Sequence, residues 1–91
     1  MATIEDAVQL ATDPDYVVQP VDTSEKLHEL QVGRIVEVLL ERGAASHGDA
    51  RVLLHEAVEG LGGKAEVLHP TGDPDRPGES RLWIPTGMLR H

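Results

Sequence analysis

Three pairs of residues, Thr3/Asp6, Asp22/Glu25 and Ser46/Asp49, place a hydroxyl or acidic side chain three positions ahead of an acid, each beside an apolar-periodic run. Each pair reads as a helix start. The first side chain takes an orphan backbone N–H, and the acid favours the positive helix end. This spacing sets an order of three helices, expected over residues 3–12, 23–42 and 47–61.

In the first helix Ile4, Ala7, Val8 and Ala11 recur at helical spacing, and Asp13-Pro14-Asp15 stops it. Tyr16-Val17-Val18 then suits a brief extended segment. In the second, Val32, Ile35, Val36, Leu39 and Leu40 share one arc, with Gly43 as the terminator. Leu27, Leu30 and Val38 fall on the opposite side of that helix, which gives it a second apolar stripe. In the third, Ala50, Leu53, Leu54, Ala57, Val58 and Leu61 make a continuous apolar face that ends at Gly62-Gly63. Arg51, His55 and Glu59 take its outer side.

Beyond Gly63 the pattern becomes β-like. Residues 64–69 and 80–84 read as two strands around a loop at 70–79, whose three prolines and two glycines exclude helix and suit a mobile hairpin loop. Leu82 and Ile84 alternate with Trp83, so both strand faces carry apolar groups. Residues 86–91 read as a frayed tail. The expected fold class is α+β: one small domain over 1–91, with three helices followed by a C-terminal β-hairpin.

Composition narrows the function classes. A 91-residue chain buries only roughly 60–65% of the surface its unfolded form exposes. Phe is absent, and Tyr16 and Trp83 are the only aromatics, so the core is thin and a partner surface is plausible. The chain has no cysteine, hence no disulfide or thiolate metal site. No apolar run is long enough for a membrane span, and the N-terminus lacks a signal-peptide pattern. We therefore expect a cytoplasmic protein. The net charge of −8 argues against a chain-wide grip on nucleic acid; it reads either as a solubility device or as a match for a basic protein partner.

Chemistry-bearing patterns are sparse. No HExxH or Cys/His spacing exists, and His69, Asp73 and Asp75 lack the spacing and terminal Glu of a calcium loop. Ser46 beside His47 is explained by helix capping without a nucleophile–base pair. The glycines form neither a dinucleotide fingerprint nor a phosphate loop. No catalytic residue, metal or cofactor is implied.

A helix pair followed by a hairpin with an Arg-bearing tip, ending in Arg81-Leu82-Trp83-Ile84-Pro85-Thr86-Gly87, resembles the later part of a winged-helix domain over about residues 32–87. The resemblance implies a nucleic-acid-binding regulator with Arg76 and Arg81 on phosphates. The residues themselves lead elsewhere, to a non-catalytic acidic adaptor or inhibitor that binds a protein through an apolar anchor ringed by carboxylates. Leu27, Leu30, Val38 and Trp83 are the expected anchors. A homodimer through the second helix accompanies that reading.

Overall fold

A computed structural model of the chain describes residues 1–18, 26–67 and 80–90. Thr3 opens the first helix as its spacing demands. Its Oγ1 accepts from the Asp6 N–H at 3.4 Å, and the Asp6 carboxylate accepts from the Thr3 N–H at 2.9 Å. The Thr3 backbone N–H holds the Asp6 carboxyl below its ordinary range, helped by the Thr3 hydroxyl and Arg42 and opposed by partial desolvation. Helix α1 spans Ile4–Ala11 and buries Ala7, Leu10 and Ala11. Asp13 then caps a 3-10 turn at Pro14–Tyr16, accepting from the Asp15 N–H at 2.9 Å.

The stretch expected as one long helix over 23–42 divides instead. Its Asp22/Glu25 start lies outside the described residues. Leu27–Glu29 form a strand, β1, and the helix, α2, occupies only Val32–Glu41. The cause is a change of period: Leu27, His28, Glu29 and Leu30 alternate half-buried and buried, as a strand does when one face meets a core. Leu30 donates its N–H to the Leu82 carbonyl at 2.8 Å. Gln31 then turns the chain into α2, its N–H bonding the Tyr16 carbonyl and its side-chain amide the Val17 carbonyl.

Helix α2 buries Ile35, Val36 and Leu39 and ends at Gly43, whose φ of +105° is left-handed. Ser46 starts the next helix by accepting from the Asp49 N–H at 3.1 Å. Helix α3 spans His47–Gly60 and turns Gly48, Ala50, Leu54, Ala57 and Val58 inward. Gly63 must lack a side chain, because an added Cβ would lie 2.1 Å from the Trp83 carbonyl.

Strands β2 (Lys64–Val67) and β3 (Ser80–Pro85) pair antiparallel, with Lys64 opposite Trp83 and Glu66 opposite Arg81. β1 pairs antiparallel on the other side of β3, Leu27 opposite Pro85 and Glu29 opposite Trp83. The result is a three-stranded sheet in the order β1-β3-β2, an α+β fold whose sheet is more than a C-terminal hairpin. The last residues of the expected 64–69 strand, and the 70–79 loop, lie outside the described residues. Ile35, Leu39, Leu54, Leu82, Ile84 and Val17 are among the fully buried side chains, so both helix pair and sheet feed one core.

The tail is docked rather than frayed through Arg90. Thr86–Met88 form a 3-10 turn, Leu89 is buried, and the Arg90 N–H reaches the Thr12 carbonyl at 2.8 Å. The Arg90 guanidinium donates to the Gln9 carbonyl at 2.7 Å, supplying the cation that the last turn of α1 lacks. Among the described residues no helix is long and apolar enough to cross a membrane.

Strand placement makes Leu30 a core residue, so Leu30→Ala is expected to cost about 2–5 kcal/mol in chemical denaturation. Leu27→Ala, on the half-buried outer face, is expected to cost about 1 kcal/mol or less.

Candidate functional site

On α3 the inward arc of Ala50, Leu54, Ala57 and Val58 leaves one large apolar residue on the far side. That residue is Val52, 52% exposed. Asp49, Val52 and Glu56 recur at i, i+3 and i+7, so they share one helix face, with a carboxylate on each side of the valine. This face borders the turn between α2 and α3. Val52, Leu53, Ala44, Ala45 and Met1 line a groove of about 560 Å³, with Asp49 and Glu56 among its other walls. The turn stays low because only Ala44 and Ala45 stand between Gly43 and the cap at Ser46. An apolar floor beside two carboxylates suits a side chain with an apolar stem near a cationic head.

The outer face of the sheet carries a second cluster. Trp83 faces outward, because Leu82 and Ile84 on either side of it are fully buried. Leu27 and Pro85 form a directly opposed pair on the same outer face. The indole is already occupied by cations: Lys64 Nζ lies 5.5 Å and the Arg81 guanidinium 5.3 Å from its ring. Arg81 is in turn held by Glu29, its Nε donating to the carboxylate at 3.0 Å and its Nη2 to the same oxygen. That pairing, reinforced by Glu66, makes the guanidinium hold its proton more tightly than usual. Any partner docking on Trp83 would first have to displace these contacts.

The expected anchors separate accordingly. Leu27 and Trp83 come together on the sheet, but Leu30 is 2% exposed and cannot anchor anything. Val38 is half-buried against the core. The second apolar stripe, on which a dimer through the second helix would rest, does not form, because Leu27 and Leu30 belong to the sheet side of the molecule. Arg76 lies outside the described residues, and Arg81 is engaged by Glu29 and Trp83. Val52 was not among the expected anchors. Its signal was its position as the one large aliphatic residue outside the apolar arc of α3.

Among the described residues, His28, His47 and His55 stand apart and do not assemble a reactive centre. His47 Nε2 lies 3.3 Å from Glu37 on the surface, turned to a different partner from Ser46, whose Oγ caps the helix. His28 is buried, with Nδ1 2.9 Å from the Thr86 hydroxyl. Among the described residues no group of three His, Cys, Asp or Glu could hold a metal, and His69, Asp73 and Asp75 lie outside them.

His55 is half-buried, not outward as its helical position suggested, and burial followed by the nearby Arg51 charge depresses its pKa. The unfolded chain therefore binds this proton more readily than the fold does. Stability is expected to fall as pH drops from about 6.5 toward the lower folded value. Thermal melts across that window should show a shallower slope for His55→Gln. Comparison of the chain with protein-family models, with curated proteins and with solved structures gave no match.

Proposed function

We propose that this chain is a non-catalytic protein-interaction module whose groove beside α3 receives a basic, apolar-anchored segment of a partner protein. The observation that carries the reading is Val52, exposed between Asp49 and Glu56 above a floor of small apolar residues. Burying a valine-sized surface fully contributes about 1.5–3 kcal/mol, which makes it an anchor, while the flanking carboxylates select the sign of the partner and speed its encounter. The net charge of −8 extends that steering field beyond the groove. The anchor thus moves from the second helix and the sheet to α3, while the chemistry of an apolar centre among carboxylates stays the same.

A second reading has one observation in its favour. The order α1-β1-α2-α3-β2-β3, with the first strand beside the last, is the order of a winged-helix domain. The revised boundaries also supply the two helices ahead of the hairpin that such a domain requires. In that plan α3 takes the place of the recognition helix. Its outward residues Asp49, Glu56 and Glu59 repel phosphate, so the same scaffold is better suited here to a cationic protein surface.

Peptides selected from a displayed random library against the intact protein test the first reading. They are expected to carry Lys or Arg around a large apolar residue. Their affinity should fall about 10-fold or more in Val52→Asp and again in Asp49→Lys/Glu56→Lys. Selected peptides that bind Val52→Asp as tightly as the native chain would remove the groove from consideration. Fluorescence anisotropy with duplex DNA decides the second: steeply salt-dependent binding weakened by Arg81→Ala would reverse the ranking.

A further inference from the structure

We infer that the chain self-associates through the outer edge of β2, two copies pairing their Lys64–Val67 strands antiparallel about Ala65 so that the two sheets join. The sheet order leaves β1 and β2 at the edges. The far side of β1 is engaged at its C-terminal end: Val17 bridges Leu30, and the Val18 N–H reaches the Glu29 carbonyl at 2.9 Å. Among the described residues nothing pairs with the far side of β2. Its outward backbone groups are a template for another strand.

Charge complementarity identifies the occupant as a second copy. Lys64 and Glu66 both lie on the solvent face, opposite Trp83 and Arg81 of β3, and both are exposed. Antiparallel pairing centred on Ala65 sets Lys64 of each copy opposite Glu66 of the other, two opposite-charge pairs related by the two-fold axis. Shifting the centre by one residue in either direction instead opposes Lys64 to Lys64, or Glu66 to Glu66. Both are disfavoured, so the charges favour the Ala65-centred register over its two neighbours. Charged edge residues commonly guard a strand against pairing. A lysine and a glutamate two positions apart guard against most strands but complement their own image. Ala65 on the axis adds no bulk, and the edge lies beside the C-terminal part of α3, apart from the Val52 groove.

Sedimentation equilibrium of the full chain from about 10 μM to about 1 mM tests this, the upper limit being set by the weak affinity of a short ladder. The mass is expected to rise from 9.9 kDa toward twice that value. Lys64→Glu or Glu66→Lys alone should weaken association about 10-fold, and the double exchange should restore it. The exchange re-creates only the contacts between copies, since the Lys64–Trp83 and Glu66–Arg81 neighbours within one chain are not recovered. A monomer throughout, or association indifferent to the single reversals or unrestored by the double exchange, overturns the inference. In the native chain, amide exchange at residues 64–67 should also slow with rising concentration, and concentration-independent exchange would overturn the inference without any substitution.

Discussion

β3 needs a neighbour on each side, and the rest of the fold follows from that need. Leu82 and Ile84 are fully buried, so the backbone groups of β3 lie where water cannot satisfy them and must pair with protein. β2 reaches one side through the hairpin. The other side is taken by Leu27–Glu29, more than fifty positions earlier in the chain. Once those residues are in the sheet, α2 can begin only at Val32, and Gln31 must make the sharp passage between them. Leu30 and His28 then feed the core, which a chain without phenylalanine can ill spare.

This constraint explains what the sequence made legible. Thr3, Ser46, Gly43 and Gly62 announce helix ends through bonds or dihedrals spanning a few residues, and all four act where their neighbours placed them. The apolar arcs of α2 and α3 are equally local. Leu27-His28-Glu29-Leu30 is different, because leucines three apart fit a helical stripe as well as a half-buried strand fits alternation. Only the distant partner decides between the two periods. The tail was illegible for the same reason: Arg90 has no periodic context, and its acceptors, Gln9 and Thr12, lie at the opposite end of the chain.

For the candidate site, residue types suggested a chemistry to look for, whereas the place of an exposed apolar group on the fold could not be read from them. Net charge and a thin core pointed to an apolar anchor among carboxylates. The long-helix boundary put Leu27, Leu30 and Val38 forward as that anchor, beside Trp83 on the last strand. Moving those leucines into the sheet leaves Val52, 52% exposed against 44% for Ile4 on α1, as the more exposed large apolar group on the α-helices, flanked by acids at helical spacing.

The distribution of cations sharpens the point. Arg42 is paired with Asp6, Arg81 with Glu29, Arg34 lies over the Tyr16 ring at 4.9 Å, and Arg90 caps α1. These arginines are engaged in holding elements of their own fold together. Among the described residues no ion pair engages Asp49, Glu56 or Glu59, and these three carboxylates outnumber Arg51, the one Lys or Arg on α3, so the helix is net negative. A phosphate backbone approaching that helix would meet repulsion at the turn where a reading helix needs attraction. A lysine- or arginine-bearing segment would gain both the carboxylates and the valine, and this difference in sign, more than the topology, argues for a protein ligand.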